Sequence, residues 1–348
     1  MAIKVDEIVI LLGAGCSSEA GIPTSNEMVR KIEDEILKAA KNKKFEDLYY
    51  YVKSAITYGQ NIQRKFDIPF NIEELMNVLL ELEKREGNII YPFIANWNNL
   101  LVELAGGKFN NVKEFKELIN ENLLRWVKVD NYQHDAEYYG NFYRFRDELQ
   151  ISLRVFSLNY DLCFEKLSSP TVKLELGFDD EKVWNCERFE FDPNKQVDIF
   201  LYKLHGSIDW KRDNHQVIKC DAPVDQPLLI FGIPSKLQSY DPFLFYIYEL
   251  RKYTLSSRLI ITIGYGFGDE HINHLLQQAL QQRSKTRLFC VTKHDDPEAV
   301  KNAIRLKLNP GNIEQILVFS AGAKAFLDKE ITRENMEEAM IPEEKGPF

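Results

Sequence analysis

Residues 8–23 read IVILLGAGCSSEAGIP, an apolar run long enough for one buried strand that breaks on two glycines and a cluster of small polar residues. A strand leading through a glycine turn into a helix start constrains the fold more than any other stretch of the chain. It belongs to open sheets whose strands end, at the carboxyl side, on a ligand. Gly13 and Gly15 let the backbone turn tightly, and a helix start after Ser17 and Ser18 offers amides and partial positive charge to a phosphate. By itself the turn leaves three fates for a bound nucleotide: a redox carrier returned intact, a substrate broken apart, or a signal merely held.

Short apolar runs of the same kind recur at 153–158 (LRVFSL), 199–204 (IFLYKL), 228–232 (LLIFG), 258–263 (RLIITI), 287–292 (RLFCVT) and 314–320 (EQILVFS). Most are continuously apolar, as strands covered on both faces are, and several lead into helical patterns. This alternation predicts an α/β fold with a mostly parallel sheet flanked by helices. Residues 27–150 instead carry helical periodicity. In NIEELMNVLLELEKREG, Ile72, Leu75, Met76, Leu79 and Leu82 share a face, with Asn71 and Glu74 at the N-cap and its partner position. Similar patterns fill 89–105 and 111–127. The expected organisation is a sheet domain made of 1–26 and 151–330, a large all-helical insertion over 27–150, and a mobile acidic tail over 331–348.

The net charge of −9 argues against direct nucleic-acid binding, which needs clustered Lys and Arg. The five scattered cysteines form no C-x-x-C pair, so no zinc is expected, and a reduced, cytoplasmic protein is the plain reading. The N-terminal apolar stretch is too short for a signal sequence or a membrane span, so no membrane partner is expected.

A dehydrogenase needs a third glycine and an acidic residue ending a second strand about 20 positions on. Ser18 holds the third position, and Glu33, Asp34 and Glu35 fall in a helical pattern. Three further strand ends carry polar residues: SLNYD with Ser157, Asn159 and Asp161, KLHGSIDW with His205, and GYGFGDEHINHLL with Gly264, Tyr265, Gly266 and Asp269. Parallel strands would place all four clusters on one edge. Each also has a plainer reading: Asn159 as a turn residue, Asp161 and Asp269 as helix caps, and His205 as a core histidine. His271 and His274 lack an evident third ligand, and Cys16, with no base nearby, reads as a packing residue.

Taken in order, these motifs resemble the sirtuins. GAGCSSEAGIP is similar to their first motif at Gly13, Ala14, Gly15, Ser17, Gly21, Ile22 and Pro23; NYD resembles the second; LHGS, with His205, the third; and IFGIP at 230–234 is similar to the strand that faces an acyl-lysine. The resemblance covers the α/β half and implies a Rossmann-like domain that binds NAD through those first-motif residues together with Ser157, Gly264, Tyr265 and Gly266. It implies catalytic roles for Asn159, Asp161 and His205. The chain departs from deacylating sirtuins in four places, one of them Ile233, which stands where they carry the Glu after the FG pair. Thr24, Ser25 and Asn26 stand where they carry Asp-Phe-Arg, Leu158 replaces a Gln, and 206–229 holds only Cys220, in what reads as a small hairpin rather than a zinc module. These departures resemble bacterial sirtuin-like antiphage effectors, which cleave NAD to nicotinamide and ADP-ribose. That branch implies a homo-oligomer, with a HerA-type ATPase or a short Argonaute as partner chain. An NAD-dependent protein deacylase and a non-catalytic NAD or ADP-ribose binder are the competing readings.

Overall fold

The structure, a computed structural model, describes residues 3–64, 70–84, 99–167, 172–190, 197–232 and 240–341. The chain forms two compact units: Met1–Ile22, Lys128–Leu229 and Leu237–Phe348 in one, Pro23–Val127 and Ile230–Lys236 in the other.

The first unit is built on a seven-stranded sheet. Its strands are β1 (Ile8–Leu12), β2 (Leu153–Ser157), β3 (Leu174–Glu175), β4 (Ile199–Lys203), β7 (Leu259–Ile263), β8 (Arg287–Thr292) and β9 (Ile316–Ser320). A separate antiparallel hairpin, β5 (Trp210–Asp213) and β6 (Gln216–Lys219), follows β4 where the sequence suggests one. The sheet order is β3-β4-β2-β1-β7-β8-β9, and every pairing is parallel. This is the α/β sheet expected from the sequence. β1, β2, β4 and β7 are buried along their whole length, which explains why they read as continuous rather than alternating apolar runs.

Leaving aside the two-residue edge strand β3, the order is that of a doubly wound α/β sheet. The chain winds outward from β1 through β2 and β4 on one side, then through β7, β8 and β9 on the other. Its direction reverses between β1 and β7, the switch point at which open sheets of this kind generally bind their ligands. Helices Phe243–Ser256, Glu270–Gln282 and Pro297–Leu308 alternate with the strands of the second half. Asp269 and Asp296 cap the latter two, Asp296 with Pro297 at the first helical turn.

Three expectations need correction. The run 228–232 is not a strand: Leu229 makes only an isolated bridge to Gly206, and Ile230–Lys236 cluster with the helical unit. There Ile230, Phe231 and Gly232 are buried, and a Cβ on Gly232 would lie 2.5 Å from Met76 Cβ, so Gly232 packs against a helix instead of a sheet. Residues 331–341 are not a free tail, because Thr332 caps a helix, Arg333–Ala339, that buries Met336 completely. Arg287 then donates to the carbonyl of Ala339 at 3.2 Å and to that of Ile341. Finally, residues 128–150 cluster with the sheet and not with the insertion.

The α-helices described in the second unit are Ser25–Lys38, Glu46–Ile62, Ile72–Glu83, Asn99–Ala105 and Asn110–Trp126, and no strand is assigned among its described residues. Asn71 accepts from the Glu74 amide at 3.0 Å, completing the capping box read from the sequence, and Ile72, Leu75, Met76 and Leu79 are buried. A second box joins Thr24 and Glu27. The helical pattern proposed for 89–98 lies outside the described residues.

Candidate functional site

Because the strands are parallel, the turns after β1, β2, β4 and β7 all emerge on one edge of the sheet. The turns after β1 and β7 meet at the switch point. Gly13 donates to the Ile263 carbonyl at 3.0 Å and Gly15 to that of Gly264 at 2.9 Å. A Cβ at Gly13 would stand 2.6 Å from the Gly264 oxygen, and one at Gly15 2.8 Å from Gly264 Cα. The glycines therefore serve the close approach of two turns, and the amides of Gly13 and Gly15 are already spent on it. The amides of Cys16 and Ser17 close the turn on Gly13 and Ala14. Ala14 opens the 3-10 turn Ala14–Cys16, and its amide stands at the open end of that turn.

Ser17 turns out to be the hub of the turn rather than a ligand contact. Its hydroxyl donates to Asp161 Oδ2 at 2.7 Å and accepts from Asn159 Nδ2 at 2.9 Å. Tyr139 lies 2.7 Å away and, since the Ser17 proton is committed, must donate its own. One donor and two acceptor sites are then filled, and no valence remains for a phosphate. Asn159 also gives Nδ2 to the Gly13 carbonyl at 3.0 Å. Asp161 accepts the Cys163 amide at 3.0 Å on its other oxygen. This is an Asx-type turn one residue ahead of Leu162, the N-cap of the short helix Cys163–Lys166, so Asp161 is not the cap read from the sequence. Tyr138 donates to the Cys16 carbonyl at 2.7 Å. The adjacent hydroxyls of Tyr138 and Tyr139 thus clamp the glycine turn, a contribution not visible in the motifs themselves.

Ser157 Oγ accepts the Asn159 amide at 3.1 Å. Gly21 takes a left-handed φ of +85°, Ile22 is buried, and Pro23 opens the second unit. Tyr265 hydrogen-bonds Asn273 Oδ1 at 2.8 Å and the Asp269 carbonyl at 3.1 Å, while Gly266 stands in open space at the tip of the turn. His205 follows β4 and is 5% exposed, with Nε2 lying 3.2 Å from Asp269 Oδ2. His271 gives its amide to Asp269, and His274 Nδ1 lies 3.4 Å from Gln277 Oε1. Among the described residues no cluster of three metal-ligating side chains is present, and no helix is long and apolar enough to cross a membrane.

Lys203, missed in the sequence, is fully buried two residues before His205 and pairs with Glu165 at 3.2 Å. Burial alone would discharge it; the carboxylates of Glu165, Asp161 and Asp209 outweigh that and hold it charged. The only sequence signal was a lysine inside the apolar run IFLYKL.

Cys16 is inert. Burial pushes its thiol up to about 12, and burial likewise takes Cys290 up to about 11. Both groups favour the protonated fold, so their contribution is complete below the unfolded thiol value near 9 and is lost as pH rises through the folded values. Each should lower stability by ~1.4 kcal/mol per pH unit above that point. Urea midpoints measured from pH 8 to pH 10.5 should fall steeply, and Cys16→Ala should flatten the decline.

Residues 153–314 match the model of the SIR2-like domain family. The matched SIR2-like segment is somewhat under half of the chain. It runs from β2 to just before β9 and holds Asn159, Asp161, His205 and Asp269, while the first glycine turn precedes it. No curated protein sequence shows significant similarity to the chain. Three solved structures overlap most of its length at low identity. A Sir2 enzyme studied for mechanism and regulation is 13% identical with a TM-score of 0.41, over 96% of this chain and 93% of that one. A Sir2 homologue in complex with NAD is 14% identical with a TM-score of 0.43, over 96% and 90%. Sir2Tm bound to a propionylated peptide is 14% identical with a TM-score of 0.35, over 95% and 92%.

Proposed function

We propose that the chain is an NAD hydrolase that cleaves the bond between nicotinamide and ribose, releasing nicotinamide and ADP-ribose. The observation that carries this reading is the placement of Asn159 and His205 at the carboxyl ends of neighbouring strands, beside the switch point of a doubly wound sheet, within a SIR2-like segment.

The chemistry asks little of such a site. Nicotinamide departs as a neutral ring from a cationic one, so no general acid is needed, in contrast to ordinary glycoside hydrolysis. What remains is to stabilise an oxocarbenium-like ribosyl cation, exclude bulk water and aim one water at the anomeric carbon. Asn159 spends Nδ2 on the glycine turn, which leaves Oδ1 to accept from a ribose hydroxyl or from the water without adding charge. Asp161, 4% exposed, supplies a fixed negative charge next to Asn159 that favours the cation. His205 takes the proton of the water. The turn after β1 and the tip of the turn after β7 are the surfaces for pyrophosphate and adenosine, with Ala14 and Gly266 as their least committed residues.

Water is favoured over an acyl-lysine as acceptor by two features. Thr24 to Asn26 begin a capped helix in place of an Asp-Phe-Arg, and the β5–β6 hairpin stands where deacylases carry two C-x-x-C pairs. The same departures support a role as a toxic, NAD-depleting cytoplasmic effector in antiphage defence. Such an effector would work as a homo-oligomer, with a HerA-type ATPase or a short Argonaute as sensor. In cells producing the chain with its sensor, infection should lower NAD, and His205→Ala should abolish the fall. With purified protein, acetylated peptide should not stimulate nicotinamide release. Release that depends on the peptide and yields O-acetyl-ADP-ribose would instead make the chain a deacylase.

A further inference from the structure

We infer that Asp269 is the positioning residue of His205, holding its imidazole in the tautomer that leaves Nδ1 free to accept a proton. The catalytic part of this inference rests on the hydrolase reading above.

The two residues come from strands that are not neighbours. β4 and β7 are separated by β2 and β1, a span of ~14 Å at ~4.8 Å per strand. The turn after β7 must therefore reach back across the sheet edge to bring Asp269 to His205. It is braced to do so. Tyr265 hydrogen-bonds the Asp269 carbonyl and Asn273, Asn273 Nδ2 donates to the Phe267 carbonyl at 3.0 Å, and Lys307 Nζ donates to the same carbonyl at 2.9 Å.

The Asp269 carboxylate is divided between two tasks. Oδ1 accepts the amides of His271 at 3.0 Å and Ile272 at 3.3 Å, capping the helix, and Oδ2 faces His205 Nε2 at 3.2 Å. A cap alone needs one oxygen, which Asn, Ser or Thr would supply equally well. The second oxygen only accepts, so Nε2 carries the proton and the lone pair resides on Nδ1. No described residue partners Nδ1. In the reaction, water oxygen bonds to the anomeric carbon as the glycosidic electron pair leaves with nicotinamide. The water proton passes to Nδ1, and the imidazolium, held against the Asp269 carboxylate, later releases it to solvent.

Asp269→Asn separates the two tasks. Its Oδ1 keeps the cap, while its amide hydrogens face Nε2 and force the proton onto Nδ1, the wrong tautomer. An Asp→Asn change behind a catalytic histidine can cost ~10⁴-fold in kcat. The experiment uses the full chain labelled with ¹⁵N-histidine, with His205→Ala to assign the His205 signals. Wild type should show the Nε2–H tautomer and Asp269→Asn the Nδ1–H tautomer. In the same proteins kcat for nicotinamide release should fall ~10²–10⁴-fold with KM within about threefold. Asp269→Ser, which caps the helix but fixes neither tautomer, should give mixed signals and an intermediate kcat. An unchanged tautomer in Asp269→Asn, or a kcat within threefold of wild type, overturns the inference. If wild type releases no nicotinamide, the hydrolase reading fails, and the tautomer signals still decide whether Asp269 positions His205.

Discussion

His205→Ala is expected to lower kcat for nicotinamide release by ~10²–10⁴-fold, the usual contribution of a positioned general base, while KM for NAD changes only a few-fold. The split follows from where the residue sits. His205 ends β4, two strands away from the meeting of the two glycine turns, so its loss leaves that junction and its hydrogen bonds intact. Asn159, Ser17 and Asp161 also keep one another, since none of them bonds to the imidazole. The substitution does strip Asp269 of one partner, at a cost of about 1 kcal/mol in stability. His205→Gln, which fills the space and can hydrogen-bond but cannot take up a proton at neutral pH, separates that structural cost from the catalytic one. Both variants should be equally slow. A kcat within tenfold of wild type for either would remove His205 from the chemistry.

Gly264→Ala should be strongly destabilising. Gly264 has a φ of +63°, and a Cβ there would stand 2.2 Å from the Cys16 amide nitrogen and 2.3 Å from the Gly15 carbonyl carbon. These are backbone atoms, so no side chain can rotate aside. Left-handed strain costs about 1–2 kcal/mol and overpacking of this kind about 1–3 kcal/mol more, for a combined loss of ~3 kcal/mol. Thermal unfolding should shift downward by about 5 °C or more. Because relief requires the turns after β1 and β7 to part, KM for NAD should rise even where the variant folds. Gly266→Ala, on the same turn with nothing within 4 Å of its Cβ, is the matched control and should be nearly silent in stability.

These contrasts also mark where the sequence could and could not be read. Strands β1, β2, β4 and β7 were legible because burial on both faces forces uninterrupted apolar runs, and parallel pairing then determines that their polar ends share an edge. The cap at Asn71 and Glu74 was legible because both partners lie within one turn. The run 228–232 was misread because an apolar segment buried against a helix has the same composition as one buried in a sheet. Residues 333–339 look like part of a tail because five of the seven are charged or polar, set around buried Met336 and Ala339.

Within the site, the motifs marked where chemistry gathers but not what each polar group does. Ser17 sits where a phosphate ligand belongs, yet its partners Tyr139 and Asp161 are 122 and 144 residues away, beyond any local spacing rule. Gly13 and Gly15 invite a pyrophosphate, whereas their missing side chains serve the backbone of Gly264. Asp269 shows the reverse: its capping role was plain from the helix start, and its contact with His205 depends on a turn that crosses the sheet edge.

The most direct test of the account is to incubate the purified chain with NAD and no acceptor other than water, and to quantify nicotinamide and ADP-ribose together. The account expects the two to appear in equal amounts as NAD disappears, with His205→Ala slower by ~10²–10⁴-fold. NAD that binds and is recovered intact, or nicotinamide that appears only when an acylated peptide is present, would contradict it.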